Sequence, residues 1–359
     1  MADKIRIGIV GAGWVVTNRH LPGLQGLKDI EVCTIWSRQS EKARSVAKEF
    51  GIAGVADRWE QIVESPDIDA VIVATPPIMH SVVTLVALAA SKHVLCQGRM
   101  ARNLQEAREM LRAARSSKLV AALYPPRPGL KGDRVMRRLL HDEKFVGDIH
   151  EVRLNSMSLT EEKEEYLWTE DPEAFGVNAM TLGLWTEVLN RWVGPAEQVA
   201  GMARTHRPRR KTAGGEWAEA VVPDSLALAA RLECGANATY HFSSRAAAGL
   251  GHSVEIYGSR GALTYKFFAE EIHGASDNTG SWQPIPIPQD QERLQTTDRE
   301  FIQAIRGEAK ISPDFEDGVR YMAFCEAAAL AVMKGSTVSL PQLQPSMRHW
   351  GRLLDARAD

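Results

Sequence analysis

The sequence has few cysteines, no long apolar run and almost no net charge, and each shortage excludes a class of protein. Its four cysteines, Cys33, Cys96, Cys234 and Cys325, lie far apart among 359 residues, unlike those of a zinc site or a disulfide framework. No apolar run approaches the ~20 residues that span a bilayer, and the N-terminus lacks a signal-peptide pattern. The formal charge of −2 provides no global field for nucleic acid or an anionic membrane. We therefore expect a cytoplasmic, soluble protein without a metal site that binds a small molecule.

Short β-branched runs alternate with helical segments through the first third of the chain. Ile5 to Val10 and Ile30 to Trp36 are the first two apolar runs, and Ser40 to Phe50 has a helical pattern that ends at Gly51. Strands that alternate with helices predict a doubly wound parallel sheet of the Rossmann type, which we assign to residues 1–124.

The pattern changes after Tyr124, where Pro125, Pro126 and Pro128 interrupt it. Strand candidates then follow one another with few intervening helices, which predicts an α+β domain, residues 125–359, around a large and mostly antiparallel open sheet. We interpret the basic segment 204–216 as a mobile, solvated loop between strands, with binding of an anionic substrate as the alternative. The strand candidates are 148–156, 197–204, 226–234, 236–243, 254–258 and 262–266, and the main helix candidates are 177–192 and 315–333.

A glycine-rich turn directly follows the first predicted strand and precedes a helical segment. The turn contains Gly11, Gly13, Trp14, Val15 and Val16. Gly11 permits the tight turn, and Gly13 lets the backbone approach a pyrophosphate at the helix N-terminus. At position 16 valine replaces the usual glycine or alanine, so we expect the helix to lie further out or at a different angle. The turn predicts a dinucleotide-binding site.

The residues after the second strand favour NADP(H) over NAD(H). An NAD site places an acidic residue there for the ribose 2′-OH, whereas a 2′-phosphate needs a hydroxyl and a guanidinium. Here Ser37 and Arg38 occupy that position, with Lys42 one helical turn further on. The alternative is that Arg38 and Lys42 are ordinary solvated surface charges.

Several motifs occur in a fixed order along both predicted domains. They are KIRIGIVGAG, SRQSEKA, VIVATPPIMH, KHVLCQGRMA, VEIYGSRGAL and REFIQAIRG followed by SPDFEDGVR. Together they resemble the Gfo/Idh/MocA oxidoreductases. This resemblance implies a Rossmann domain followed by an α/β domain whose open sheet often forms dimers or tetramers. It also implies hydride transfer between NAD(P) and a hydroxyl carbon of a sugar, inositol or related polyol.

The resemblance further implies which residues lie in the site. Thr75, Pro76, Pro77 and His80 occupy the loop that passes along the cofactor, and Gln97 follows in the next loop. A lone histidine on a helix is equally typical of a packed core residue, so His80 keeps both interpretations.

The usual proton-transfer groups of this family are missing. Its Glu-Lys-Pro segment corresponds here to Gln97-Gly98-Arg99, so glycine replaces the lysine. Its second-domain aspartate and histidine correspond to Thr181 and Trp185. Alcohol oxidation needs a group that accepts the hydroxyl proton, and the sequence leaves that group open.

Three explanations remain. The preferred one is an NADP(H)-dependent dehydrogenase or reductase for a hydroxylated or keto substrate, which a carboxylate could accompany. Its catalytic set would be non-standard, with candidates Arg99, Tyr124, Arg127, Tyr166, Thr181, Trp185 and His80. Arginine is too basic for a good base but polarises carbonyls and binds carboxylates. The alternatives are a lyase or hydrolase that oxidises its substrate transiently with tightly bound NAD(P), and a redox-inactive protein that senses the dinucleotide. Trp185 is also open to interpretation as a core residue.

Overall fold

The structure is a computed structural model that describes residues 4–125, 130–159, 166–212, 214–249, 251–276, 280–293 and 297–340. The described chain forms two units. The first contains residues 4–125 and 297–319, and the second contains residues 130–293 and 320–340. Residues 297–319 thus return to the first unit, where the Leu123 amide donates to the Pro313 carbonyl at 3.1 Å.

A six-stranded parallel sheet forms the first unit, as the alternating pattern predicted. Its order is β3-β2-β1-β4-β5-β6, so the direction of winding reverses between β1 and β4, the usual place for a dinucleotide. All four residues of β4 are buried, because helices cover both faces of such a sheet. The strands are β1 Ile5–Val10, β2 Ile30–Trp36, β3 Gly54–Val55, β4 Ala70–Val73, β5 His93–Gln97 and β6 Ala121–Tyr124.

A nine-stranded mixed sheet dominates the second unit and confirms the predicted, mostly antiparallel class. Its order is β16-β15-β14-β13-β7-β12-β11-β8-β17; of its described neighbouring strands, β7 and β12 run parallel and the others antiparallel. Two further strands, β9 and β10, form a separate hairpin. The strands are β7 Ile149–Met157, β8 Ala196–Arg204, β9 Arg209–Lys211, β10 Trp217–Glu219, β11 Ser225–Leu232, β12 Asn237–Ser243, β13 Gly251–Gly258, β14 Ala262–Lys266, β15 Glu271–Ala275, β16 Gln283–Ile285 and β17 Val338–Ser339.

The helices pack their apolar faces on these sheets. In α8, ten of twelve residues are buried, which identifies it as a core helix of the second unit. No helix in the described ranges combines the length and apolarity needed to cross a membrane. The helices are α1 Leu21–Leu24, α2 Ser40–Phe50, α3 Glu60–Glu64, α4 Pro77–Ala89, α5 Leu104–Ser117, α6 Asp133–Arg137, α7 Pro172–Phe175, α8 Leu182–Val193, α9 Thr297–Ile305 and α10 Phe315–Lys334, with π-helical turns at Val16–His20 and Arg138–Asp142.

Two local predictions were wrong. The helix expected from residue 177 begins only at Leu182, because Met180 has a φ of 44° that an α-helix cannot contain. The basic segment 204–216 is not simply a solvated loop, since it contains β9. Within β9, Arg210 is buried and its Nε lies 2.8 Å from a Glu170 carboxylate oxygen, so a charge partner offsets part of the cost of burying this arginine.

Candidate functional site

The loop after β1 has the backbone geometry of a dinucleotide-binding turn. Gly11 has a φ of +125°, and a Cβ there would lie 2.2 Å from the Ala74 carbonyl oxygen. Only glycine therefore allows this approach between the loops after β1 and β4. At Gly13 a Cβ would meet no atom within 4 Å, so the backbone borders open space. This cradle fits the pyrophosphate of a dinucleotide, which binds backbone amides at close range.

The helix after this turn starts unusually. Trp14 and Val15 are α-helical, but the following turn, Val16–His20, is π-helical. In a π-helix each backbone hydrogen bond joins residues five apart rather than four apart. Val16 is wholly buried, and its larger side chain occupies the place where glycine or alanine was expected. Trp14 is 62% exposed, with the Arg19 guanidinium 5.4 Å from its ring centroid.

The residues after β2 form a positively charged edge. Arg38 and Lys42 are exposed, and neither side chain forms an ion pair with another described residue. The Ser37 hydroxyl accepts the Gln39 amide at 3.3 Å. The first carboxylate beyond β2, Glu41, lies 3.1 Å from Arg44, so its charge is already paired. This edge can receive an anion.

His80 connects the loop after β4 to the loop after β5. Its Nε2 lies 2.6 Å from the Thr75 carbonyl oxygen, and its Nδ1 lies 2.9 Å from the Arg99 carbonyl oxygen. The side chain is 1% exposed; burial lowers the pKa of His80, although the carbonyls of Thr75 and Arg99 oppose the shift. The imidazole thus packs between two backbone segments, and the ring nitrogen that carries the proton donates to the carbonyl it faces. Pro76 is the N-cap of α4 and Pro77 its first residue, where proline loses no helical hydrogen bond.

The ends of β5 and β6 bring three predicted residues together. The Gly98 amide donates to the Tyr124 carbonyl at 2.7 Å, which joins the Gln97-to-Arg99 segment to β6. The Gly98–Arg99 peptide bond is cis. Arg99 is half-buried, whereas Tyr124 is 1% exposed. Arg99 is therefore the more accessible of these two predicted catalytic residues.

A buried pair behind Tyr124 escaped sequence reasoning. The His20 ring lies 4.0 Å from the Tyr124 ring, and its Nδ1 lies 2.7 Å from Asp298 Oδ1 on α9. The His20 and Asp298 side chains are 0% and 2% exposed. Nearly 280 residues separate the two, so no local motif could reveal the pair. It fastens α9 to the helix that follows the glycine turn.

In the second unit, Thr181 precedes α8 and belongs to a hydroxyl–imidazole chain. Its Oγ1 lies 3.1 Å from Ser156 Oγ, which in turn lies 2.7 Å from His252 Nδ1. Trp185 lies one turn further along α8, is 1% exposed and stacks on Phe267 with ring centroids 3.9 Å apart. The structure thus gives Trp185 a packing role in the core.

Tyr166, another predicted catalytic residue, bonds elsewhere. The Tyr166 hydroxyl donates to the Glu170 carbonyl at 3.1 Å. Burial, reinforced by Asp171 and Glu170, raises the pKa of Tyr166 to about 12, so its phenol keeps its proton near neutral pH. Arg127 lies outside the described residues.

Ser156 and His252 were not predicted as site residues, although each is a polar residue at a core-facing position of an alternating strand. On β7, Val152 and Leu154 are buried and Ser156 follows at the same spacing of two; on β13, His252 precedes buried Val254 at that spacing. Polar residues at positions that face the core need partners, so each break in the pattern marks a polar site.

Comparisons with known proteins define the class. The model for the Gfo/Idh/MocA oxidoreductase family, NAD-binding Rossmann fold, matches residues 5–124, and the model for its C-terminal alpha/beta domain matches residues 137–340. The chain belongs to this family. This confirms the resemblance and the predicted enzyme class, an NAD(P)-dependent oxidoreductase.

The individual relatives share between 20% and 30% sequence identity with this chain over the aligned residues. The 1,5-anhydro-D-fructose reductase of Ensifer adhaerens is 26% identical over 335 residues, 92% of this chain and 96% of the reductase. The scyllo-inositol 2-dehydrogenase (NADP(+)) of Bacillus subtilis is 30% identical over 116 residues, 32% of this chain and 35% of the dehydrogenase. Levoglucosan dehydrogenase in complex with NADH and L-sorbose shares the fold, with a TM-score of 0.81, 20% identity and coverage of 94% of this chain and 99% of the dehydrogenase.

Proposed function

We propose that this protein is an NADP(H)-dependent dehydrogenase or reductase for a small, sugar-like hydroxylated or keto substrate. Family membership gives the reaction class, and the names of the two curated relatives above, an anhydrofructose reductase and an inositol dehydrogenase, support a carbohydrate or polyol. A carboxylate on the substrate would suit Arg99, whose guanidinium binds carboxylates in a two-pronged geometry.

The positive edge after β2 carries the NADP(H) assignment. Arg38 and Lys42 are exposed, and no carboxylate stands between Trp36 and Glu41. A 2′-phosphate gains charge-assisted hydrogen bonds from such a guanidinium. A ribose 2′-OH would find no acidic acceptor at these positions, so the edge favours the phosphorylated cofactor.

Each loop of the first unit has a separate task in this proposal. The backbone of Gly11 and Gly13 receives the pyrophosphate, and Ser37 with Arg38 receives the 2′-phosphate. His80 holds the loops that start at Thr75 and end at Arg99 in one arrangement. When bound, the dinucleotide supplies a nicotinamide ring that exchanges hydride with the substrate. Arg99 polarises the substrate carbonyl, because a cation beside the oxygen stabilises the negative charge that develops there.

The cofactor assignment is tested by Arg38→Ala, with Lys48→Ala as the matched control. Lys48 is an exposed cation in the last turn of α2, so both variants lose one positive charge from the same part of the surface. Loss of a charged hydrogen bond worth about 1.5–3 kcal/mol should weaken NADPH binding about 10- to 100-fold. NADH affinity should stay nearly constant. Equal losses for both cofactors in calorimetric titrations would remove Arg38 from the phosphate site.

The catalytic part is tested by Arg99→Ala and Arg99→Lys in a screen of polyols and keto sugars. We expect both variants to retain NADPH binding and to lose kcat, with a smaller loss for lysine, which keeps the charge but not the planar fork. Wild-type kcat in Arg99→Ala would contradict the assigned role.

We also propose that the large sheet forms a homodimer or homotetramer. On its exposed side, Met202 of β8 is paired with Ala227 of β11, and Met202 is 73% exposed. Exposed Ala229 continues this apolar strip, and contiguous apolar surface favours association. Light scattering should show an oligomer that Met202→Glu combined with Ala227→Glu dissociates. A monomeric wild type would exclude the proposal.

A further inference from the structure

One helix of the first unit exposes apolar side chains while its polar side chains are buried. In α4, His80, Ser81 and Thr84 are 1%, 7% and 0% exposed. On the solvent side, Ile78 is 39% and Val82 49% exposed, and α4 contains no lysine, arginine, aspartate or glutamate. A surface helix normally turns polar residues outward. The outer side of α4 therefore suits burial against a partner.

The outward apolar residues of α4 follow the spacing of a seam between two helices. They are Ile78, Val82, Leu85 and Ala89, at intervals of four, three and four residues; Ala89 is exposed and Leu85 half-buried. This spacing keeps one row of side chains facing a second helix. Single apolar residues scattered on a surface are ordinary, but a contiguous apolar surface marks a contact. We call these four residues the apolar row.

The helices on either side of α4 carry opposite charges. Helix α3 packs on β1 and β2, and α4 packs on β4 and β5. Helix α5 leads from β5 to β6 at the far edge of the sheet, so α4 lies between α3 and α5 and contacts both. On α3, Glu64 is exposed and Glu60 half-buried, whereas the exposed charges of α5 are Arg108, Arg112 and Arg115.

At least two of these charges are available to a partner. Arg115 lies 3.1 Å from Glu316, but neither Glu64 nor Arg112 forms an ion pair with another described residue. The surface thus presents an acidic, an apolar and a basic row in that order.

These rows determine how two copies of the chain can pair. In a two-fold symmetric dimer the same surface meets itself. If the two α4 helices ran antiparallel, α3 would meet α3 and α5 would meet α5, so like charges would face each other. If they run parallel, α3 of each copy meets α5 of the other, and both flanks attract. Like charges across an interface are costly, so the charges favour the parallel pair.

The size of the surface is sufficient for a specific but weak dimer. Helices α3, α4 and α5 contain 5, 13 and 14 residues. With a rise of about 1.5 Å per residue and a width of about 10 Å per helix, they present roughly 500 Å² per copy. Two copies would bury about 1,000 Å², the lower end of the range for specific interfaces. Association should therefore depend on protein concentration.

We propose that the apolar row, with acidic α3 and basic α5 beside it, binds the same surface of a second copy of this chain, with the two α4 helices parallel. The surface lies in the first unit and is separate from the strip around Met202 in the large sheet. Either contact alone gives a dimer, and the two together give a tetramer. The inference does not depend on the proposed oxidoreductase function.

The contact is tested by Val82→Glu in sedimentation velocity at about 1–100 µM protein, the range in which a weak dimer dissociates. The new carboxylate would be buried without a partner, so association should weaken about 100-fold and the mass should halve. Ser45→Glu adds the same charge to an exposed position of α2 and should leave the mass unchanged. Both sites are exposed, so thermal unfolding should stay close to wild type. A wild-type mass for Val82→Glu at every concentration would overturn the proposal.

Charge reversal tests the parallel arrangement. Arg112→Glu and Glu64→Arg each bring like charges together at both flanks, so each should weaken association about 3- to 10-fold. The double variant restores the attraction and should associate like wild type. In an antiparallel pair, Arg112→Glu would instead face arginines of the other copy and tighten association. Tighter association of Arg112→Glu would therefore overturn the proposed arrangement.

The outcomes distinguish this contact from the one proposed for the large sheet. If both form, Val82→Glu and the combined Met202→Glu and Ala227→Glu variant are each dimers, and all three substitutions together give a monomer. A wild-type dimer that only the sheet variant dissociates overturns the α4 contact and supports the sheet contact. A wild-type dimer that only Val82→Glu dissociates does the reverse. A monomeric wild type excludes both.

Discussion

The two units differ in how the sequence encodes their polar sites. In the first unit the cofactor cradle consists mainly of backbone, so short local motifs such as the Gly11-to-Val16 turn encode it. In the second unit the hydroxyl–imidazole chain joins residues 156, 181 and 252 through the register of β7 and β13. A ligand that many proteins share can be bound by a local motif, whereas side-chain chemistry is assembled by the tertiary fold.

Each unit also buries a cluster of polar side chains that joins distant segments. The first unit buries the pair of His20 and Asp298. The second unit buries Asp133 among Arg191, Arg293 and Trp192, each of which donates to its carboxylate within 2.9 Å. Burial alone would raise the pKa of Asp133, but the two arginines and the indole hold it below its usual range. Both clusters fix distant elements to one another.

The largest expected effect concerns Asp133. Asp133→Ala removes the buried carboxylate that accepts from Arg191, Arg293 and Trp192, although Arg191 keeps Glu187 at 2.6 Å. We expect a cost of about 3–5 kcal/mol of unfolding free energy. Urea unfolding followed by circular dichroism measures the loss. The control is Asp142→Ala, an exposed carboxylate nearby in the chain, for which we expect almost no change. Similar small losses for both would show that the cluster does not stabilise the second unit.

In the first unit, Asp298→Asn should cost about 1.5–3 kcal/mol, the usual value of a hydrogen bond to a charged group. The loss is smaller than for Asp133 because one partner, not three, is left behind. Arg299→Ala, an exposed change in the same helix, is the control. A loss as large as that of Asp133→Ala would erase the proposed difference between the two clusters.

The two glycines of the cradle should separate folding from binding. Gly13→Ala adds a methyl group to open space, so thermal unfolding should not change, but NADPH should bind about tenfold more weakly, roughly 1.4 kcal/mol. Gly11→Ala should lower Tm, because its Cβ collides with the Ala74 carbonyl. The reverse pattern would mean that position 13 does not face the cofactor.

The smallest expected effect is acid sensitivity at Asp69. The Arg6 side-chain hydrogen bond lowers the pKa of Asp69, so its folded pKa lies below the unfolded value of about 4. The pair stabilises the fold above that pH, and the contribution disappears as pH falls through the folded pKa. Asp69→Asn should therefore lower the urea midpoint at pH 7 but hardly at pH 2. Asp67→Asn, which changes a more exposed partner of Arg6, should have a smaller effect at both values.

Much of the fold followed from sequence because pattern and burial agree. The runs at residues 5–10, 30–36 and 262–266 became strands at those bounds. The start of α8 could not be predicted, because the apolar residues from 177 on continue a helical pattern through a turn that contains Met180. Periodicity reports which residues are buried but not where the backbone leaves the helical region.

Only part of the candidate site could be predicted from the sequence, because a local pattern does not show which distant residues meet. The glycines of the turn after β1 and the lack of an acidic residue directly after β2 can be recognised from residue identity alone. The contact of His20 with Asp298 joins distant segments and leaves no local pattern. The breaks in alternation at Ser156 and His252 mark polar positions but do not show that the two side chains meet. The NADP(H) preference and the roles of Arg99, Tyr124 and Thr181 therefore stay predictions, and the contact between Ser156 and His252 became visible only in the structure.

The most direct test is a calorimetric titration of cofactor-stripped protein with NADPH and with NADH, after mass analysis of any nucleotide that copurifies. We predict micromolar, exchangeable NADPH binding and at least tenfold weaker NADH binding, because Arg38 and Lys42 meet the 2′-phosphate. Equal affinity or tighter NADH binding would contradict the NADP(H) assignment, and no binding of either would contradict the dinucleotide site.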